Sequence, residues 1–181
     1  MQGLKNFSAA VINYSSDNIK VSLCTSGYTP DTSASGDQYY NSIAGGNILT
    51  NGTSPNLTTK TNVGGVLDAD NSVFSAVPSG TATQFVMFKD TGTASTSPLM
   101  VLWDTATNLP VTGNGGNITI QWPGSPGYIA SLCEMMSEED KALVRKLGWR
   151  NILDWTRLLG IPADSKRGGG LWVGIPTLVQ G

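Results

Sequence analysis

From Ile19 to about residue 132, apolar side chains recur at every second position, in short runs that Gly, Pro, Asn, Ser and Thr interrupt. A period of two places alternate side chains on opposite faces of an extended strand, a pattern that one helical stripe cannot bury. In IKVSLC, Ile19, Val21 and Leu23 share one face while Lys20, Ser22 and Cys24 share the other. NITIQW repeats the pattern with Ile118, Ile120 and Trp122. Two denser runs, FVMF at Phe85–Phe88 and LMVLW at Leu99–Trp103, are apolar on both faces and bounded by turn residues, which predicts central strands of a sandwich or barrel. KDTGTASTSP between them reads as a hairpin connector, and TGNGGN before Ile118 supplies residues suited to positive φ. The Gly-rich segment Pro30–Gly65 reads as a loop with one or two short strands, and a loop of that length is either functional or leaning on something.

The chain has 181 residues, 39% of them hydrophobic, enough for one packed domain and a small appendage. Its net charge of −2 supplies neither the basic excess that a phosphate backbone requires nor a polybasic membrane patch. The opening MQGLKNFSAAVINYSS has no apolar run long enough for a signal-peptide core, and no stretch approaches a membrane-spanning helix. The reading is a protein made in a cytoplasm, with neither nucleic acid nor membrane as partner. Cys24 and Cys133 then read as small buried apolar residues, and no disulfide is expected. The sequons at Asn13, Asn51, Asn56 and Asn117 carry no weight in such a compartment.

The sequence contains no His, which excludes Ser-His-Asp and Cys-His catalysis and any zinc site that needs imidazole. No catalytic residue, metal or cofactor is expected, and the chain is read as a non-enzyme. Asp68 and Asp70 resemble part of a calcium loop, but Val73 stands where the sharp turn of such a loop needs Gly; a turn leading into a strand at Val73–Val77 fits better. SKRGGGLW at Ser165–Trp172 lacks the Gly-Lys-Ser/Thr ending of a phosphate cradle and reads as a hinge. Tyr39, Tyr40 and Trp122 are the residue types of a carbohydrate platform, although aromatics in β domains more often pack in the core or at an edge.

Beyond residue 132 the character changes. All three Glu residues (Glu134, Glu138 and Glu139) and seven of the eleven Lys and Arg residues lie there. Ser137 has the features of an N-cap, with Glu138, Glu139 and Asp140 in the first turn and Gly148 as the stop. A second helix is predicted at about Asn151–Leu159, closed by Gly160 and Pro162. Helices shorter than about 12–15 residues are marginal alone in water, so these must dock. Burying Leu143, Leu147, Trp149, Ile152, Trp155 and Leu159 would contribute about 2 kcal/mol each, and that outweighs propensity. The docking partner is left open between the β domain itself, a symmetry mate and another protein. After Gly168–Gly170, the arm LWVGIPTLVQG is expected to add Leu171, Trp172 and Val173 to the sheet edge of a neighbour. Six acidic against seven basic residues after position 130 leave no positive stripe for a DNA-reading helix pair.

The pieces IKVSLCTSGYTPD (Ile19–Asp31), LDADNSVFSAVPSGTATQFVMFKDTGTASTSPLMVLWD (Leu67–Asp104) and GGNITIQWPGSPGYIASL (Gly115–Leu132) occur in an order that resembles the small β-rich virion proteins of tailed bacteriophages. The similarity covers about residues 4–132. It implies a non-enzymatic structural role in the virion, most often capsid decoration or stabilisation, with the major capsid protein as partner and a homo-oligomer, by analogy a trimer, as the working form. The alternative is a receptor- or carbohydrate-binding module of a tail or head fibre. The expected fold is mainly β: an antiparallel β-sandwich or barrel over residues 1–132, a small α-helical hairpin for attachment over 133–164, and a glycine hinge with an extended arm over 165–181. Removing Ser137–Gly181 is then expected to leave a folded β domain.

Overall fold

The computed structural model describes residues 12–31, 36–43, 45–63, 66–123, 129–131, 172–173 and 176–181. Among these residues the chain forms β1 (Ile19–Cys24), β2 (Ile48–Thr53), β3 (Thr61–Val63), β4 (Val66–Asp68), β5 (Ser72–Phe74), β6 (Gly80–Ala82), β7 (Gln84–Lys89), β8 (Leu99–Trp103), β9 (Val111–Gly113), β10 (Ile118–Gln121), β11 (Ala130–Ser131), β12 (Trp172–Val173) and β13 (Thr177–Gln180). Three short 3-10 turns lie at Tyr40–Ser42, Gly45–Asn47 and Ala94–Thr96. The strands pair antiparallel throughout, in sheets ordered β2-β1-β7-β8, β13-β10-β5, β12-β11-β4-β3 and β6-β9. The protein is therefore mainly β and antiparallel, as its period of two requires. The helical hairpin expected over 133–164 lies outside the described residues.

β1 and β7 pair along their whole length, with Val21 opposite Met87 and Leu23 opposite Phe85. One face of this sheet sends Ile19, Val21, Leu23, Phe85, Met87, Met100 and Trp103 into a large core, which Phe74, Ile118, Ile120 and Leu178 from β13-β10-β5 and Leu67 from β4 also enter. The other face is covered too. Cys24 and Val86 pack there with Tyr28 and Ile43, and Tyr40 lies beside them. The ring of Tyr40 stacks on Phe88 at a centroid distance of 4.0 Å, and its hydroxyl hydrogen-bonds with Ser22 Oγ at 2.8 Å. Much of the long polar segment thus leans on this sheet, and it contributes two strands, β2 and β3. Burial on both faces explains why FVMF shows no alternation. LMVLW is dense for a different reason: β8 is the outer strand of its sheet, not a central one, and has two fully buried positions, Met100 and Trp103.

Two turns depend on unusual backbone. Asn51 adopts φ 57 within β2, where the register against β1 slips between Ser22 and Cys24, and its side-chain amide donates to the Ala76 carbonyl at 2.9 Å. Gly115 adopts φ 91 in the connection from β9 to β10, the positive φ that TGNGGN foretold. The KDTGTASTSP stretch joins β7 to β8 as the expected hairpin. The strand expected at Val73–Val77 is shifted and shorter: β5 is Ser72–Phe74, and Ala76 at φ 49 ends its extended path.

The C-terminal residues complete this fold. Leu178 is buried in the large core opposite Ile120, and β13 pairs with β10 over Ile118–Gln121. Its other side is held by Thr107: Thr107 N–H donates to the Pro176 carbonyl and Leu178 N–H to the Thr107 carbonyl, both at 3.0 Å, while Asn108 Nδ2 donates to the Leu178 carbonyl at 2.9 Å. β12 pairs with β11, Trp172 opposite Ser131 and Val173 opposite Ala130. The expectation that this arm serves a neighbour's sheet is corrected by these pairings. Its main-chain groups find partners at home because β10 and β11 would otherwise be edges, and an internal partner needs no second subunit to reach it.

Candidate functional site

Of the residues expected to make contacts, Leu143, Leu147, Trp149, Ile152, Trp155, Leu159 and Leu171 lie outside the described residues. Trp172 and Val173 lie within β12. What the backbone does fix is where the intervening stretch begins and ends. Ser131 and Trp172 are cross-strand partners, so the residues that flank 132–171 on either side stand next to each other in one sheet.

The sheet at this point carries an ordered cross-strand row. Val63 is opposite Val66, Val66 opposite Ser131 and Ser131 opposite Trp172, so these four positions lie on one face. The next row, Asn62, Leu67, Ala130 and Val173, lies on the other face, where Leu67 enters the core. Val63 and Val66 are therefore on the face turned away from the core. Val63 is 74% exposed, the most open large apolar side chain among the described residues, and all three residues of β3 are exposed. Smaller outward positions are Val73 and Val179, both opposite Thr119 on the β13-β10-β5 sheet.

The remaining candidates have structural roles. Asp70 accepts hydrogen bonds from the hydroxyls of Thr58, at 3.1 Å, and Thr59, while Asp68 Oδ1 accepts from Ala69 N–H at 2.9 Å. The Asp68 carbonyl accepts from the Tyr14 hydroxyl at 3.1 Å, and burial raises the Tyr14 pKa further above its ordinary value. Both carboxylates thus tie down a turn, as Asp commonly does. Among the described residues no three His, Cys, Asp or Glu side chains are grouped to share an ion. Cys24 is buried and its thiol is pushed up to about 12 by desolvation, so it stays protonated and is no nucleophile at neutral pH. Trp122 is buried and packs against Trp103 at 5.4 Å between centroids, while Tyr40 is half-buried against Phe88. Of the proposed aromatic platform, only Tyr39 presents an exposed ring.

A cavity of about 210 Å³ opens between Ser54–Thr58 and Asn71–Val73. Ser72 Oγ, buried and without a hydrogen-bond partner among the described residues, belongs to a residue of its wall. The space is ample for water, which is enough to account for a polar hydroxyl there. The feature that sequence reasoning missed is the outward Val63 row, because its residues come from four separate strands. The Val-Gly-Gly-Val of residues 63–66 was the available local signal. No protein-family model and no curated protein matches the sequence.

Proposed function

We propose that this chain is a bacteriophage virion structural protein that decorates or stabilises a capsid through subunit contacts. The observation that carries the reading is the architecture at Ser131 and Trp172: a β body closed by its own C-terminal strands, in which the two residues that flank a charged and apolar stretch of sequence are cross-strand partners. Such a body supplies a rigid mount, and the stretch supplies the surface that a mount is needed for. The sequence likeness to phage virion proteins over residues 4–132 adds the particle as the setting. In this reading the sheets that share the large core are the layers of an antiparallel sandwich. Residues 133–164 form the helical hairpin, and Leu143, Leu147, Trp149, Ile152, Trp155 and Leu159 supply apolar surface to be buried, each contributing about 2 kcal/mol when fully covered. The partner is the major capsid protein, the working form a homo-oligomer with a trimer expected by analogy, and the mechanism is burial of surface without chemistry. Trp172 and Val173 serve the body's own sheet and drop out of the contact set.

The competing fibre module would use aromatic rings as a binding platform, and Tyr40 and Trp122 are already committed to packing. Counting copies per purified particle separates the two. A number matching the capsid lattice supports decoration, a number matching the few fibres of a particle supports the module, and absence from particles contradicts both.

A further inference from the structure

Two Asn-Gly pairs occur in the chain, Asn51-Gly52 and Asn114-Gly115, and both meet the turn that follows β5. Ala76 stands in that turn at φ 49, a left-handed conformation that a residue with a Cβ keeps only where its surroundings hold it. Two asparagine side chains do so. Asn51 Nδ2 donates to the Ala76 carbonyl at 2.9 Å, and Ala76 N–H donates to Asn117 Oδ1 at 3.1 Å. The next residue, Val77, grips the second Asn-Gly pair: its carbonyl accepts from Gly115 N–H at 2.8 Å, and its N–H donates to the Gly116 carbonyl at 2.9 Å. Asn114 is exposed, and its Oδ1 accepts from Gly116 N–H at 2.8 Å, an Asx turn that bends the side chain back along its own main chain. The Asn114 amide carbon is thus folded toward the peptide that can attack it, while the attacking nitrogen is tied to Val77.

We propose that Asn114 is a site of spontaneous deamidation, latched by the Ala76–Val77 turn. When the bond between Gly115 and Val77 opens, the Gly115 nitrogen gives its proton to solvent hydroxide and attacks Asn114 Cγ. The side-chain nitrogen takes a proton from water and leaves as ammonia, and a succinimide ring closes. Water then opens one of the two C–N bonds of that ring, which yields aspartate or isoaspartate. Gly115 has no side chain to crowd the attack. Isoaspartate adds a carbon to the main chain in the connection that leads into β10, the strand that pairs with both β5 and β13. Asn51 is a positioning residue for the latch and takes no part in the reaction. The inference concerns the isolated chain and stands apart from the virion reading.

Incubating the full-length protein at mildly alkaline pH and mapping its peptides by mass spectrometry reads conversion at Asn114. The folded parent should convert more slowly than the urea-unfolded chain. Asn51→Gly suits φ 57 and removes both the bond to Ala76 and the other Asn-Gly pair. It should speed conversion at Asn114 about fivefold, the effect of losing one hydrogen bond of ordinary net strength. Asn56→Gly, at an exposed Asn that donates to Asn18 instead, should leave the rate unchanged. Hydrogen exchange at the Gly115 N–H should quicken in Asn51→Gly by the same factor, while exchange at Met87 in β7 stays slow, as a local opening requires. Equal rates in the folded and unfolded parent, a rate at Asn114 unmoved by Asn51→Gly, or one moved as much by Asn56→Gly would each overturn the inference. So would a quickening of Gly115 exchange that Met87 shares, since the whole fold would then be what opens.

Discussion

The β2-β1-β7-β8 and β12-β11-β4-β3 sheets share one core but differ in what covers them. The first is packed on both faces, with Val21, Leu23, Phe85 and Met87 on one side and Tyr28, Ile43, Cys24 and Val86 on the other. The second buries Leu67 on its inner face and leaves Val63 in solvent on its outer face, with described strands of two or three residues. Burial is therefore uneven: one sheet is packed on both faces and anchors the fold, and the other leaves Val63 open to solvent. The C-terminal residues join the two regions, since β12 extends the open sheet and β13 seals the core.

Breaking that join should have the largest effect. Truncation after Ser131 removes β12, β13 and Leu178, whose side chain alone is worth about 2–5 kcal/mol by the cost of Leu→Ala changes. Added to the lost β10 pairing, this rivals a whole domain's stability of about 5–15 kcal/mol. The truncated chain should lack a cooperative melt by circular dichroism. The expectation from sequence that deletion of Ser137–Gly181 leaves a folded β domain is replaced by this one, because that deletion removes the same two strands.

The contrast between the sheets can then be measured with single residues. Phe85→Ala in β7 should cost about 3–5 kcal/mol in chemical denaturation, whereas Val63→Ala in β3 should stay within about 0.5 kcal/mol. Equal effects would erase the distinction. A smaller effect is expected at Gly113, where an added Cβ would fall 2.1 Å from the Pro78 carbonyl oxygen. Gly113→Ala should cost about 1–3 kcal/mol as β9 shifts away.

The smallest effect is electrostatic. Lys20 lies 2.6 Å from Asp90, and its hydrogen bond, followed by that of the Gly92 N–H, holds the Asp90 carboxyl below the usual carboxylate range. A lowered folded-state pKa contributes stability above the unfolded value of about 3.9, and the contribution is lost as pH falls through the folded value. The pair is half-buried at the surface, where solvent still screens it, so the contribution is small. Asp90→Asn should slightly lower the melting temperature at neutral pH and leave it matched to the parent at the acid end.

Legibility followed strand length and locality. β1, β7, β8 and β10 run for four to six residues, long enough for Ile19, Val21 and Leu23 or Ile118 and Ile120 to declare a face. β11 and β12 have two described residues each and cannot express a period; only their pairing with each other, and that of β11 with β4, makes them strands. The pairing of Ser131 with Trp172 bridges a long separation in sequence, and nothing local to Trp172 distinguishes a strand that returns home from one that reaches a neighbour. Pro176 signalled an edge or arm, and the strand that follows it has β10 on one side and Thr107–Asn108 on the other. The aromatics were ambiguous for the same reason: whether Tyr40 faces water depends on Phe88, which arrives from a distant strand.

The central claim is that the C-terminal strands close the β body, β13 on β10 and β12 on β11. Joining Ser131 to Trp172 through an Asn-Gly turn tests this directly, because cross-strand partners are the positions a two-residue hairpin connects. The thermal melt of that variant should show one cooperative transition within about 5 °C of the parent, a change of roughly 1 kcal/mol or less. A chain that fails to fold, or that melts far below the parent, would show that residues 132–171 complete the core and contradict the account.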